Sequence, residues 1–345
     1  MTENWIVAAV VLIALIFLLT NGLHDASSVV ATFIACGAAT PLQAVMWAAL
    51  LELIGAVLGG SAVAHTIAGL VLLPVDRTLL PLLAAVMIAA MVWNVLTWRL
   101  GLPSSSTHAL VGGLIGSVWM MAGTEYIFWG WTELWNPGHS VSGIVKVVMG
   151  LVVSPLLGFL LAYLLQKLVA FLLRNASFSA NRWLKQGQWL IVGLLAFNHG
   201  ANDTQKVLGL VGLALVAAGQ LGEGQPLPVE ALFVGGLIMF IGILSGGWPI
   251  MKTLGSGIFT LRPIHSFNSQ LSAGSALLLA NISGMPVSTT HLVAGSVIGA
   301  GAADEYRMVN WAVGKEMMVA WCVTIPASAL VAAVVYPLLA WLTGL

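Results

Sequence analysis

The chain has 345 residues, of which 59% are hydrophobic and 7% charged, and its formal net charge is +0. A soluble domain carries about 25% charged residues, so this composition excludes an ordinary soluble protein and indicates one embedded in lipid. The balanced charge gives no indication of nucleic-acid binding. The two cysteines, Cys36 and Cys322, neither build a disulfide framework nor match the spacing of metal ligands.

Apolar runs along the chain predict the membrane crossings. Because a backbone in lipid must satisfy its own hydrogen bonds, we expect helices, and the alternating pattern of barrel strands is absent from the sequence. Most runs are long enough to span, given roughly 20 residues per crossing, and the shorter ones suit halves of broken helices. The runs are 4–20, 42–60, 79–98, 143–172, 188–197, 207–218, 229–245, 271–280 and 311–344.

The first apolar run is expected to remain in the protein as a membrane helix. Met1, Thr2 and Glu3 precede it and supply no basic residue, whereas a cleaved signal peptide begins with a basic segment.

One segment of the chain occurs in two related copies. GLPSSSTHALVGGLIG at 101–116 aligns without a gap with GMPVSTTHLVAGSVIG at 284–299, and half of the aligned positions are identical. Each copy places a proline before a run of mostly hydroxylic residues, and these residues suit the first turn and the cap of a helix. A helix that begins at membrane depth offers free N–H groups and the positive end of its dipole to an anion.

The glycines that follow each hydroxylic run allow tight packing, so each copy predicts a re-entrant helical hairpin. The two tips together would bind an anion with hydroxyl and N–H donors. The alternative is that the Ser and Thr hydroxyls bond only to carbonyls of their own helix.

A second pair of related segments precedes these copies. NGLHDASSVVAT begins at Asn21 and HGANDTQKVLGL begins at His199, so Asp25 aligns with Asp203. Because both pairs occur in the same order, we predict two transmembrane repeats joined by a linker. The repeats are residues 1–172 and 188–345, and the linker is residues 173–187.

The linker is the longest polar stretch and holds three of the 12 Lys and Arg residues, namely Arg174, Arg182 and Lys185. Basic loops stay in the cytoplasm, so we expect the linker inside and both termini outside the cell membrane. Each repeat then crosses an odd number of times. The sequence therefore predicts an all-α polytopic membrane protein with two inverted-topology repeats, an arrangement found in many secondary transporters with broken helices.

Ionisable residues within the apolar runs predict a second site. Asp25 and Asp203 each follow a glycine, and a break of the helix there would free carbonyls that form a cation site with the carboxylate. A buried aspartate paired only for structure is the alternative. Glu52 suits proton transfer or a structural hydrogen bond. His108 and His291 suit neutral packing or proton transfer, and we favour packing.

These motifs resemble those of the PiT family of inorganic phosphate transporters, whose hallmark is a GANDVANA-like motif in both halves. The resemblance covers nearly the whole chain and implies a symporter that holds phosphate between the hairpin tips and a coupling cation at the aspartates. The implied phosphate-binding residues are Ser105, Ser106, Thr107, Ser288, Thr289 and Thr290. The implied coupling-site residues are Asp25, Asn202, Asp203 and the membrane glutamate Glu52. The ungapped comparison of ELIGAVLGG at 52–60 with MFIGILSGG at 239–247 places Met239 opposite Glu52.

Two positions depart from the sodium-coupled members, in which an asparagine follows each aspartate by three residues. The chain has Ser28 and Lys206 there. Lys206 shares a helical face with Asp203, so its ammonium is expected to replace one sodium ion by repulsion and by volume. GANDTQK resembles the version in bacterial low-affinity, proton-coupled members, which implies proton coupling, with Asp25 as the expected proton carrier. A lysine that extends to the membrane interface is the alternative.

Other functions remain as alternatives. The same fold could carry sulfate or arsenate or couple to sodium, and an anion channel could also use re-entrant loops. An intramembrane hydrolase is the enzyme alternative, since Ser, His and Asp are all present. It is not expected, because no G-x-S-x-G elbow occurs and the two hydroxyl clusters duplicate each other. ATP coupling is not expected, because the P-loop glycines are absent from the sequence. No cofactor or resident metal is predicted. Free phosphate and a divalent metal–phosphate complex are both open as cargo, and so is a homodimer.

Overall fold

The fold is described from a computed structural model, which describes residues 4–60, 62–70, 72–135, 141–285 and 287–345. Within these ranges the chain is helical and contains no β-strand, which confirms the all-α prediction. The helices are α1 (Asn4–Ala35), α2 (Pro41–Leu58), α3 (Ala62–Ala68), α4 (Leu79–Leu100), α5 (Ser106–Met121), α6 (Trp131–Trp135), α7 (Gly143–Leu172), α8 (Ala180–Ala217), α9 (Val229–Leu244), α10 (Trp248–Lys252), α11 (Pro263–Ile282), α12 (Thr289–Glu305) and α13 (Trp311–Thr343). Residues Met1 to Glu3 and Pro286, which entered the sequence analysis, lie outside the described residues.

Several helices have the length and apolarity of membrane crossings. In the described part of the chain these are α1, α2, α4, α7 and α13, and α9 with the bent segment after it makes a sixth candidate. On α7, Leu156, Leu160, Leu164 and Leu168 form a stripe whose side chains are 52–65% exposed. A row of exposed leucines on one helical face is the surface that lipid covers.

The helices that carry the two aspartates are continuous. α1 runs through Asp25 and α8 runs through Asp203 without interruption. The prediction that the helices break at these aspartates is therefore wrong, and the runs 188–197 and 207–218 belong to one helix. Freed backbone carbonyls do not build the coupling site, so its chemistry comes from side chains.

The glycines of these motifs serve close helix packing instead of a break. A Cβ atom on Gly22 would lie 2.5 Å from the Met239 carbonyl oxygen of α9. A Cβ atom on Gly200 would overlap the Glu52 carbonyl oxygen of α2. Because no real Cβ approaches an oxygen so closely, both positions need glycine for α1 to contact α9 and for α8 to contact α2.

Gly200→Ala is expected to lower the stability of the folded protein by about 1–3 kcal/mol, the usual cost of overpacking a tight contact. The added methyl group would push α8 away from α2 and displace Glu52. Thermal unfolding in detergent measures the loss. Gly212→Ala is the matched control on the same helix, because a Cβ there meets its nearest neighbour, Leu227, at 3.8 Å. Equal unfolding temperatures for both variants would contradict the packing argument.

Helix breaks do occur, at equivalent places in the two halves. α2 ends before Gly59 and Gly60, and α9 ends before Ser245, Gly246 and Gly247. Gly60 has φ +86° and Gly246 has φ +70°, a backbone conformation that favours glycine. After the second break the chain bends by 62° into α10 and a π-helical turn, Thr253–Gly257. The observed breaks therefore follow α2 and α9, and not the aspartates where the sequence predicted them.

The packing of the helices interleaves the two predicted repeats. Helix α5 of the first repeat packs against α13 of the second, and α12 of the second packs against α7 of the first. Helix α2 packs against α8, and α1 packs against α9. The residues just before α5 and α12 are buried in this interior, namely Ser104 and Ser105 in the first copy and Val287 and Ser288 in the second, which is where the predicted hairpin tips lie.

The linker is only partly irregular. Helix α7 ends at Leu172 and α8 begins at Ala180, so the second half of the linker 173–187 continues into α8. The exposed segment between the helices contains Ser177.

We expect Ser177→Cys to react with an impermeant thiol reagent from the cytoplasmic side alone, because the basic linker is predicted to lie inside. The measurement uses a background in which Cys36 and Cys322 are replaced by alanine. Leu345→Cys, near the other predicted side, is the matched control and should react from outside. Reaction of Ser177→Cys from outside would invert the proposed orientation.

Candidate functional site

Two helices begin at the predicted hairpin tips in the same manner. The Ser105 hydroxyl accepts the N–H of His108 at 3.2 Å, and the Ser288 hydroxyl accepts the N–H of His291 at 3.3 Å. Each serine is therefore the N-cap of its helix, α5 or α12. A hydroxyl that accepts an N–H keeps its own proton, so both caps can still donate to an anion.

The two tips meet in the interior of the protein. The Thr107 hydroxyl donates to the Val287 carbonyl oxygen at 3.3 Å, and the ring centroids of His108 and His291 lie 4.7 Å apart. The positive ends of α5 and α12 thus converge. All six predicted phosphate-binding residues are buried, with at most 5% of each exposed: Ser105, Ser106, Thr107, Ser288, Thr289 and Thr290.

Asp25 bridges the two tips. Its carboxylate accepts the Ser106 hydroxyl at 2.9 Å and the Thr290 hydroxyl at 3.2 Å, one from each hairpin. His24 Nδ1 lies 2.8 Å from the same carboxylate, and His24 Nε2 lies 3.1 Å from the Thr97 hydroxyl. Asp25 thus takes two of the donors that an oxyanion at the tips would use. His24 was not among the predicted site residues, although it is adjacent to Asp25.

Lys206 is held between Asp203 and both tips. Its ammonium donates to Asp203 Oδ1 at 2.7 Å, to the Thr107 hydroxyl at 2.6 Å and to the Val287 carbonyl oxygen at 3.0 Å. These three acceptors match the three N–H donors of an ammonium. The residue is 2% exposed, so the alternative in which it extends to the membrane interface is wrong.

A histidine connects Glu52 to Asp203. His199 Nδ1 lies 2.9 Å from Glu52 Oε2, and His199 Nε2 lies 3.4 Å from Asp203 Oδ2. Neither contact meets the geometry of a hydrogen bond, and both are ion pairs when His199 is protonated. The Asn21 amide donates to Asp203 Oδ2 at 3.1 Å. Glu52, which the sequence left as a lone carboxylate, therefore belongs to the same buried charge cluster.

The structure brings the two aspartates together. One ligand atom from each of Asp25, His199 and Asp203 lies within 4.8 Å of the others, a group that could hold a cation. Two other predicted members are engaged elsewhere. The Ser28 hydroxyl donates to the Asp25 carbonyl oxygen at 2.7 Å, and the Asn202 amide donates to Asn281 Oδ1 at 2.6 Å.

Sequence reasoning missed several of these residues because their partners are distant in the chain. Asn21 and Asp203, or Asn202 and Asn281, belong to different helices, and no periodicity pairs them. His199 did carry a usable signal, because it precedes Asp203 by one helical turn.

The chain matches known proteins along almost its whole length. The profile of the phosphate transporter family (PHO4) matches residues 21–332, which include all predicted site residues. A protein of Rhizobium meliloti (strain 1021) named "Probable low-affinity inorganic phosphate transporter" is 35% identical over 332 residues, or 96% of each chain. A protein of the same name from Bacillus subtilis (strain 168) is 31% identical and covers 95% of each chain.

A solved structure has the same fold. It is titled "The sodium-dependent phosphate transporter" and superposes with a TM-score of 0.86 at 26% sequence identity, covering 97% of this chain and 99% of the other.

The fold and the buried site define a multi-pass membrane transporter with two interior hairpin tips. The chain belongs to the phosphate transporter family, the PiT family of the sequence prediction. Its relatives are named as transporters and not as enzymes.

Proposed function

We propose that the protein is a secondary active symporter of the cell membrane that imports inorganic phosphate together with protons. Phosphate binds between the tips of α5 and α12, and the two repeats are inverted in the membrane. The observation that carries the choice of protons is the position of Lys206, whose ammonium bonds at once to Asp203, Thr107 and the Val287 carbonyl.

The anion site follows from the converging helix N-termini. Free N–H groups, the positive dipole ends and the hydroxyls of both tips suit a tetrahedral oxyanion without a guanidinium. The caps Ser105 and Ser288 offer one proton each. Thr289 is buried and its hydroxyl has no hydrogen-bond partner, as expected of a group that awaits a ligand.

The position of Asp25 supports a linkage between proton binding and phosphate binding. Its carboxylate accepts the hydroxyls of Ser106 and Thr290, and phosphate needs those donors and repels a second negative charge. Protonation of Asp25 removes that charge and releases its hold on the hydroxyls. The proton and phosphate therefore favour each other's binding, which is the linkage that a symporter requires.

Lys206 makes sodium superfluous at Asp203. Two unit charges 2.7 Å apart attract by roughly 6 kcal/mol at an effective dielectric constant of 20. The ammonium also fills the space beside the carboxylate, so a mobile cation gains little there. Asp25 has no such lysine, because Ser28 stands at the equivalent position.

Sodium coupling is the second candidate function. The similarity in fold to "The sodium-dependent phosphate transporter" favours it. So does the proximity of Asp25, His199 and Asp203, whose ligand atoms lie within 4.8 Å of one another.

The test is uptake of labelled phosphate into proteoliposomes with pH and sodium gradients imposed separately. We expect an inward proton gradient to drive saturable uptake, and replacement of sodium by choline to leave it unchanged. Strong stimulation by sodium at fixed pH would overturn proton coupling and leave phosphate transport standing. Competition by unlabelled sulfate and arsenate tests whether other oxyanions are carried. Uptake of phosphate with and without a divalent metal tests whether the cargo is free phosphate or a metal–phosphate complex.

A further inference from the structure

Two threonines make the same hydrogen bond in the two halves of the protein. The Thr66 hydroxyl in α3 donates to the Gly284 carbonyl oxygen at 2.8 Å. The Thr253 hydroxyl, in the π-helical turn after α10, donates to the Gly101 carbonyl oxygen at 2.8 Å. The alignment of 52–60 with 239–247, continued in register, pairs Thr66 with Thr253. The bond is therefore duplicated with the repeat.

The two acceptors are equivalent as well. Gly101 and Gly284 are aligned and occupy the left-handed region, with φ +67° and +61°. Each lies at the bend where a long helix turns toward a hairpin tip, after α4 and after α11. A left-handed residue at this bend directs its carbonyl out of the preceding helix, so a side chain from another element can bind it.

Each bond joins the two repeats. Helix α3 of the first repeat packs against α8 and α11 of the second, and α10 with the turn after it packs against α1 and α4 of the first. Each short segment follows a Gly-Gly break. A segment behind a glycine break can rotate with little cost in backbone strain, so a single hydroxyl can decide whether it stays against the hairpin.

A cavity adjoins each of the two segments. One of about 640 Å³ is lined by Gly60, Ala64 and His65 beside the first, and one of about 350 Å³ contacts Gly101 and Thr253 at the second. The hairpin tips lie deeper and are buried. Each segment therefore lines a cavity, while the tips themselves are closed to solvent.

The first segment also contacts α8, the helix that carries Asp203 and Lys206. The Gln205 amide donates to the Gly59 carbonyl oxygen at 2.9 Å, and its oxygen accepts the Val63 N–H at 3.2 Å. Gln205 thus supplies the hydrogen bonds that the break between α2 and α3 removes from the backbone. It lies immediately before Lys206, so a shift of α8 at the coupling site moves this segment directly.

We propose that Thr66 and Thr253 are positioning residues of two gates, each closing one side of the phosphate site by binding the backbone of the opposite hairpin. The inference rests on the proposed function, because two gates on opposite sides of one site are useful to an alternating-access carrier with inverted repeats. Release of the Thr66 bond opens the site toward the first cavity, and release of the Thr253 bond opens it toward the second.

The experiment places a cysteine behind each gate. Val63→Cys and Ile250→Cys occupy aligned positions that are 1% and 0% exposed, in a background with Cys36 and Cys322 replaced by alanine. The rate of reaction with an impermeant thiol reagent is measured from each side of the membrane. Val63→Cys lies behind the gate of Thr66, and Ile250→Cys lies behind the gate of Thr253.

Thr66→Val removes the hydroxyl and keeps the shape of the side chain. We expect it to raise the reaction rate of Val63→Cys by about 2- to 10-fold, the effect of one lost hydrogen bond on an opening equilibrium, and to leave Ile250→Cys unchanged. Thr253→Val should raise the reaction rate of Ile250→Cys from the other side of the membrane and leave that of Val63→Cys unchanged. Thr66→Ser and Thr253→Ser keep a hydroxyl and should restore the original rates, which a purely structural disturbance would not do.

Thr324→Val is the matched control, because the Thr324 hydroxyl bonds only within its own helix, to the Ala320 carbonyl at 2.7 Å. Thr66→Ala and Thr253→Ala provide a second removal of each hydroxyl if a valine variant does not fold. Unchanged rates in the hydroxyl-free variants, or a rise at both cysteines from either change, would overturn the gates. The labelling needs no ligand, so it tests the gates independently of phosphate. Phosphate binding is measured separately by equilibrium dialysis. Absence of phosphate binding would refute the proposed function and would leave the labelling result for the gates standing.

Discussion

Lys206→Asn is expected to reduce proton-driven phosphate uptake by at least about 100-fold. The change removes a buried ammonium that bonds to Asp203 and to both hairpin tips. Breaking a buried ion pair from one side costs about 3–5 kcal/mol, because the remaining charge is left without its partner. The melting temperature should fall for the same reason. Uptake into proteoliposomes and thermal unfolding in detergent measure the two effects.

The effect of added sodium on the melting temperature distinguishes the loss of a buried positive charge from a general loss of structure. In Lys206→Asn a sodium ion can supply the missing charge, so sodium should raise the melting temperature of that variant and leave the unmodified protein unchanged. Lys167→Asn, which replaces an exposed lysine of α7, is the matched control and should retain uptake. Normal proton-driven uptake by Lys206→Asn would contradict the proposal that the lysine replaces a sodium ion at Asp203.

The double change Ser105→Ala and Ser288→Ala is expected to abolish phosphate binding while the protein still folds. Both hydroxyls accept an N–H as helix caps and keep a proton to donate to the anion. A hydrogen bond to a charged group is worth about 1.5–3 kcal/mol, so two lost donors lower phosphate affinity by roughly 100-fold or more. Equilibrium dialysis with labelled phosphate measures the affinity.

The loss of two caps also costs stability, about 1 kcal/mol each, and a control must account for it. Thr40→Ala removes the N-cap of α2, whose hydroxyl accepts the Gln43 N–H at the exposed start of that helix. It should cost similar stability per cap and leave phosphate affinity unchanged. Unimpaired binding by the double serine variant would remove the hairpin caps from the site.

The parts of the site that depend on local sequence were predictable. A cap, a hydroxylic run and the first glycine after it lie within about two helical turns, and their repetition at 101–116 and 284–299 marked both hairpins. The pairing of Lys206 with Asp203 is also local, at a spacing of three residues on one helical face. Such features need no knowledge of which helices pack together.

The remaining features depend on tertiary packing. Gly200 was interpreted as a helix break, and its actual role depends on the Glu52 backbone, which lies against it in α2. A glycine permits both a bend and a close contact, and the sequence does not state which helix approaches. The bridge from Asp25 to Ser106 and Thr290 joins three distant parts of the chain for the same reason.

A covalently attached charge has a thermodynamic consequence for the whole transport cycle. In the proposed symport the ammonium of Lys206 returns with the empty protein, so it moves no net charge across the membrane per turnover, whereas an accompanying ion does. One elementary charge crossing 100 mV is worth about 2.3 kcal/mol, which corresponds to a roughly 50-fold concentration ratio. A carrier that replaces an ion with a lysine therefore has a lower ceiling of phosphate accumulation, and it can run where the outer medium contains phosphate but no sodium.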